Sequence, residues 1–226
     1  ETCKYAANAF LAAKLSFTNA IAAVCEAVGA DANDVLLGMG YDHRIGHEFL
    51  RPGPGWGGSC LPKDSNAIIS IAEDAGYDFA LMRGVIQAND EQFDRIVRKV
   101  ESVTSLDGAT VGVLGIAFKA GTDDTRESPA IEVMKRLLAK GAMVKAYDPA
   151  VTSLNLDGVD VVGNAYAACE GASAIVVATE WNEFTLLNFD RVGTLVAERN
   201  MIDARNLLDR NALKQRGFTY QGVGRF

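Results

Sequence analysis

From residue 109 onward the chain changes rhythm, and that change limits its architecture more than any other feature. Short β-branched runs at 109–118, 143–147, 159–162, 174–178 and 200–202 alternate with segments of helical pattern at 129–140, 153–157, 165–169 and 191–198. The pattern at 153–157 is the weakest of these. Strands that alternate with helices build a parallel sheet with helices on both of its faces.

The first hundred residues hold no such run. Residues 1–28 are rich in Ala and Leu, lack Pro and Gly, and stop at Gly29, which suits the left-handed position that ends a helix. Asp31 and Asp34 open a short helix to Gly38. Asp64 or Ser65 caps another to Gly76, and Asp78 begins a long one reaching about Val103. No internal repeat is visible. The expected fold is α/β in two parts: an all-helical part over 1–105, which includes the long connecting helix, and a Rossmann-like parallel-sheet part over 106–226.

Of the 226 residues, 49% are hydrophobic and 23% charged, which excludes a disordered or low-complexity chain. The net charge of −7 comes without any Lys/Arg block, so binding to a nucleic-acid backbone is not expected. The four cysteines, Cys3, Cys25, Cys60 and Cys169, form no CxxC, and with only His43 and His47 beside them no metal site is expected. Reduced thiols point to the cytoplasm. The apolar stretch 6–28 is interrupted by Asn8, Lys14, Ser16, Thr18, Asn19 and Glu26, so no membrane span is expected. No signal-peptide pattern is present. The chain opens at Glu1 without Met, already in helical sequence, and reads as a piece of a longer protein.

Chemistry concentrates in three places. The segment from Gly38 to Gly58 holds seven Gly and two Pro, the composition of a long functional loop. It runs into Gly53-Pro54-Gly55-Trp56-Gly57-Gly58-Ser59-Cys60-Leu61-Pro62-Lys63-Asp64. Glycines allow close backbone approach to a ligand, and a helix start together with Lys63 favours thiolate over thiol, so Cys60 is the candidate nucleophile. The other three cysteines, in Ala-rich helical surroundings, read as inert. Glu1, Lys4 and Asn8 share one helix face; by pattern alone they are equally a functional stripe or a solvated edge. Lys14 reads as a surface or interface residue. The third place is Gly115-Ile116-Ala117-Phe118-Lys119 through Asp123-Asp124-Thr125-Arg126-Glu127-Ser128-Pro129, after a strand and before a helix. It is not GxGxxG, and a cationic grip on phosphate and a plain crossover loop stand at even weight. Asp148, after the second strand, has the place of a ribose-binding acid, but Asp148-Pro149 is also an ordinary turn start, and the turn is the favoured reading. Arg44 and Arg205, each in isolation, read as surface arginines.

Together these motifs resemble the UDP-glucose/GDP-mannose dehydrogenase family. The resemblance spans the whole chain, through the Lys4/Asn8 helix, DxRIG, GPGxGGSCxPKD, FKxxTDDxRESP, YDP, and DxRN followed by GxxYxGxG. It implies the family's helical dimerisation and nucleotide-sugar domains without the N-terminal NAD-binding domain, and NAD-dependent oxidation of a sugar C6 alcohol to a carboxylate. It further implies that Cys60 attacks the C6 aldehyde, forming a thiohemiacetal and then a thioester. Lys4 and Asn8 would hold the oxyanion, and Asp64 would assist hydrolysis. The substrate contacts implied are Phe49, Gly53, Gly57, Lys119 and Arg205, with Arg44 reaching in from a partner subunit. Arg126 would meet the NAD pyrophosphate. The partner implied is a second copy, joined through the long first helix.

Trp56, Leu61, Ala20 and Ala204 depart from the family's usual residues, and none removes a reacting group. UDP-glucose is the expected substrate, with UDP-N-acetylmannosamine and GDP-mannose as alternatives. A nucleotide-sugar-binding or dimerisation module without chemistry is the reading from another class. Alone, the chain is not expected to turn over.

Overall fold

A computed structural model describes residues 1–225. The chain opens with helices α1 (Thr2–Val28), α2 (Ala32–Gly40), α3 (Leu61–Asp74) and α4 (Ala80–Glu101). Gly29 ends α1 in the left-handed conformation, φ 74°, and the Asp31 carboxylate accepts from Asn33 N to open α2. α1 packs on α3 and α4. It is long and apolar enough, by length and composition, to cross a bilayer. Its inward face nonetheless carries buried Ser16, Thr18 and Asn19, and the Ser16 hydroxyl donates to Val85 O on α4 at 2.8 Å. These are the bonds of a helix built into a folded core.

The second half runs β1 (Thr110–Leu114), α5 (Pro129–Ala139), β2 (Met143–Tyr147), β3 (Val159–Val161), α6 (Ala165–Cys169), β4 (Ala174–Val177), α7 (Asn182–Thr185), α8 (Phe189–Leu195), β5 (Asn200–Asp203), α9 (Arg210–Gln215) and β6 (Thr219–Gly222). The six strands form one sheet in the order β3-β2-β1-β4-β5-β6, every pair parallel. This is the doubly wound, Rossmann-like arrangement. Strand periodicity divides the core. Val111, Val113, Val144, Ala146, Val176 and Ile202 face Val133, Met134 and Leu137 of α5 and Ile96, Val97 and Val100 of α4. Leu114, Ile175, Val177, Met201 and Tyr220 face Ala168, Phe184, Val192 and Leu213 on the opposite side.

α4 therefore serves both halves. It packs against α1 and α3, and it enters the sheet's core. Arg136 of α5 bonds Asp90 at 2.5 Å and Asp94 at 2.9 Å on α4. The end of the chain returns to the helical half, where Gly224 N donates to Glu26 Oε1 at 2.7 Å and Gly224 O accepts from Ala32 N at 2.9 Å.

The structure corrects the sequence reading in several elements. β1 stops at Leu114 instead of continuing to Phe118, because Ile116 N and Ala117 N turn to donate to the Asp148 carboxylate at 2.8 and 3.0 Å. Residues 153–157 form no helix; Leu154 and Leu156 pack against the sheet's core from irregular backbone. α2 continues to Gly40, two residues into the expected loop. α3 begins at Leu61, not after Asp64 or Ser65, with Cys60 at the N-cap position and Pro62 in the first turn. α7, α9 and β6, of four, six and four residues, add to the elements expected from the sequence.

Candidate active site

The glycine-rich loop is held by buried amides. Asn19 Oδ1 accepts from Gly53 N at 2.9 Å, and Gln92 Nε2 donates to Gly53 O at 2.8 Å. Asn89 pairs with both backbone groups of Trp56, accepting from N at 2.8 Å and donating to O at 3.0 Å. The Trp56 indole N–H donates to Ser16 Oγ at 2.9 Å. A segment with few side chains of its own thus borrows hydrogen-bond partners from α1 and α4, as buried backbone must. Asn89 and Gln92 are not singled out by the sequence, and Ser16 appears there only as a break in the apolar stretch; the available signal was a polar residue on the inward face of α1 or α4.

This anchoring delivers Cys60, exposed, to the start of α3. Asp64 lies one helical turn on, Asp64 N donating to Cys60 O at 2.9 Å. Its buried carboxylate receives the side chains of α1: Asn8 Nδ2 donates to Oδ2 at 2.6 Å, and Lys4 Nζ lies 3.4 Å from the same oxygen. The Asn8 hydrogen bond, then Lys4 and Lys63, hold the Asp64 carboxyl below the usual carboxylate range against the opposing effect of burial. The polar stripe on α1 therefore has a partner. Glu1 is not part of it; it stands at the N-cap of α1 without a side-chain capping bond.

The C-terminal edge of the sheet faces this loop. Gly58, at φ 82°, lies so close to the Phe118 ring that a Cβ there would meet two ring carbons at 2.8 Å, and a Cβ on Gly57 would collide with the carbonyl oxygen of Glu127. Arg205, far from a loose surface residue, is largely covered: it donates to Ala178 O at 2.9 Å and Phe118 O at 3.2 Å, and pairs with Glu180 at 3.1 Å. Its Nη1 would lie 3.4 Å from a Cβ at Gly53, so the turn after β5 and the glycine loop meet there. Lys119 is exposed, its ammonium 5.4 Å from the Phe118 ring centre. Arg126 bonds Asp124 at 2.7 Å, which lowers the Asp124 carboxyl to about 2, and lines a cleft of ≈ 420 Å³ with Gly58, Ser59, Lys63 and Glu127.

Arg44 and Phe49 stand apart from this cluster. Arg44 folds back on Asp42 at 2.6 Å with 78% of its side chain exposed. Phe49, also exposed, has φ 61°, and its carbonyl accepts from Thr18 at 3.3 Å. Lys14 proves to be an anchor, donating to Ile45 O and Glu48 O at 2.8 and 2.6 Å and so fixing the loop that carries both residues. Among the described residues no group of three or more His, Cys, Asp and Glu is arranged to hold a metal.

Comparison with known proteins matches this arrangement to two family models. Residues 1–91 match the central domain of the UDP-glucose/GDP-mannose dehydrogenase family, and residues 112–210 its UDP binding domain. The chain belongs to the UDP-glucose/GDP-mannose dehydrogenase family. Its relatives include UDP-glucose 6-dehydrogenase TuaD of Bacillus subtilis, 44% identical over all of this chain and 50% of that protein. UDP-glucose 6-dehydrogenase of Rickettsia typhi is 42% identical over 99% of this chain and 53% of its own length. The solved UDP-glucose dehydrogenase of Pyrobaculum islandicum superposes with a TM-score of 0.83 at 33% identity, over 98% of this chain and 50% of that one. The chain spans about half the length of the curated relatives it matches.

The family's sheet is doubly wound here, yet it does not fit a dinucleotide in the β1 turn. The N–H groups that would face a pyrophosphate, those of Ile116 and Ala117, already donate to Asp148 Oδ2, which also receives Trp181 Nε1 at 3.0 Å. Asp148 Oδ1 caps the following turn through Ala150 N and Val151 N, in keeping with the turn-forming role expected from sequence.

Proposed function

We propose that this chain is the nucleotide-sugar-binding and cysteine-bearing portion of a 6-dehydrogenase, with UDP-glucose as its substrate and UDP-glucuronate as the product of the whole protein. The observation that carries this reading is the convergence of Lys4 and Asn8 on one oxygen of Asp64, a single helical turn from exposed Cys60.

The chemistry follows from those groups. Cys60 Sγ adds to the C6 carbon of the sugar aldehyde, and the carbonyl π electrons move onto oxygen. Lys4, whose side chain is 61% exposed, and the Asn8 amide supply the positive charge and hydrogen bond that the resulting oxyanion requires. Conversion of this thiohemiacetal to a thioester would pass a hydride, two electrons and a proton, from C6 to NAD, the acceptor that the family resemblance implies and that this chain does not itself cradle. Water then adds to the thioester carbon, sulfur leaves with its bonding electrons, and the carboxylate is released. Asp64 stays ionised because Asn8 and Lys4 hold it so; its first task is to orient those two donors, and its second is to accept a proton as water attacks. Sulfur keeps the aldehyde attached between the oxidations.

The hydride acceptor of the family expectation, NAD, has no cradle in this sheet, so Arg126, on the rim of the cleft beside Ser59, is the contribution we assign to this chain. Lys119 and Arg205 are assigned to the nucleotide sugar, with the backbone of Gly53 and Gly57 lining its pocket. We assign the dimer contact to α1, where Phe10, Phe17 and Val24 recur every seven residues at 68%, 53% and 56% exposure beside exposed Val28. Arg44 and Phe49, carried outward on the loop fixed by Lys14, then belong to the partner's pocket. The cytoplasm is the compartment in which the four free thiols stay reduced.

Calorimetric titration of this chain with UDP-glucose, UDP-N-acetylmannosamine and GDP-mannose tests the assignment. UDP-glucose is expected to bind most tightly, and binding no tighter than that of free glucose would overturn it.

A further inference from the structure

Glu127 has a feature that the proposed reaction does not use. Among the described residues it is one of three non-glycine residues with positive φ, at 49°, a conformation costly for any residue with a Cβ. Its side chain is exposed, and it is the carbonyl oxygen, not the carboxylate, that meets Gly57. The loop on either side is closed tightly: Phe118 N donates to Asp124 O at 3.1 Å, Arg126 N to Asp124 Oδ1 at 3.0 Å, and Ser128 Oγ to Ile116 O at 2.7 Å. The 115–128 loop thus touches the cysteine loop twice, with the Phe118 ring on Gly58 and the Glu127 carbonyl on Gly57, two and three residues before Cys60. The same loop is tied to the nucleotide side, because Arg205 Nη2 donates to Phe118 O and Lys119 is the next residue.

We propose that Glu127 is a positioning residue for Cys60: its left-handed backbone locks the loop after β1 against the cysteine loop, so that filling the nucleotide side of the site alters the reactivity of the thiol. The proposal rests on the nucleotide-sugar reading given above. Such coupling requires two contacts that move as a unit, and surfaces this close transmit displacement because packed atoms cannot interpenetrate.

The test is the rate of Cys60 alkylation by iodoacetamide, followed by peptide mass spectrometry, with and without UDP. UDP lacks the hexose and so does not cover the thiol with a sugar; exposed Cys3 serves as the internal reference. Binding of UDP is measured on each variant by calorimetry. In the parent chain saturating UDP changes the Cys60 rate by about threefold or more, a shift bounded by how differently UDP binds when the loop is seated on Gly57 and Gly58 and when it is displaced from them. Glu127→Gly, which adopts the left-handed backbone freely, retains that response. Glu127→Val, β-branched and unsuited to positive φ, and Gly57→Ala, whose Cβ meets the Glu127 carbonyl, lose it, their rates staying within about twofold with or without UDP. UDP binding in the parent without a change in rate overturns the proposal alone, as does a full response in Glu127→Val. Loss of the response in Glu127→Gly overturns it too, since the carboxylate would then be the active group. No binding of UDP by the parent overturns the nucleotide-sugar reading and this inference together.

Discussion

Replacing Asn89 by Ala tests whether the cysteine loop is held from behind by α4. The side chain is 7% exposed and makes both of its bonds to Trp56, itself 6% exposed. Truncation leaves a buried N–H and a buried C=O without partners, each costing about 1–3 kcal/mol. The methyl group that replaces the amide offers neither donor nor acceptor, and the Phe93 ring beside Gly55 leaves little room for the loop to refold onto other groups. The expected loss is therefore about 3 kcal/mol. With a urea slope of about 3 kcal/mol/M, the midpoint falls by roughly 1 M. Gln87→Ala is the control: two residues earlier on the same helix, exposed, and bonded to Glu91, it should change stability by less than about 0.5 kcal/mol. Equal midpoints for the two variants would refute the claim that Asn89 carries the loop.

Asp64 supplies a pH-dependent share of stability. Its folded pKa lies below the unfolded value, so the contribution is fully present above about pH 4 and is lost as pH falls through the folded value. The urea-midpoint difference between the parent and Asp64→Asn should accordingly shrink on acidification, and a difference constant from pH 7 to pH 3 would contradict the assignment. Burial pushes the Cys169 thiol up to about 12, so at pH 8 the native chain should be alkylated at Cys3 and Cys60 and not at Cys169, which reacts only in urea. Phe17→Glu, on the exposed face of α1, should turn a sedimenting dimer into a monomer; an unchanged sedimentation coefficient would remove α1 from the contact.

The parts of this fold legible in the sequence are those set by local chemistry. Gly29 ends α1 where it was expected, and β2 spans 143–147 as read, because a left-handed cap and an apolar β-branched run act within a few residues. The start of α3 was misread for an instructive reason. Asp64 has the side chain of a helix cap, but its carboxylate is directed at Asn8 and Lys4, residues about sixty positions earlier, and the helix already begins at Leu61 with Cys60 as its N-cap. A competing tertiary partner overrode a local preference, and it did so at the candidate site.

Local sequence shows only part of the surroundings of Arg205 and Lys14. Each looks solvated in its own neighbourhood, and each is fixed by backbone carbonyls from distant segments: Ala178 and Phe118 for Arg205, Ile45 and Glu48 for Lys14. The glycine loop shows why such contacts escape a linear reading. Glycines supply no recognisable partners, so the information that positions them is written elsewhere, in Asn19, Asn89 and Gln92 on the buried faces of α1 and α4. A buried amide on an apolar helix face costs stability unless backbone from another segment comes to meet it. Three such amides facing one glycine-rich stretch therefore say that the stretch is held in a single shape, which is the condition a thiol at its end must meet before it can be presented repeatedly to the same carbon atom.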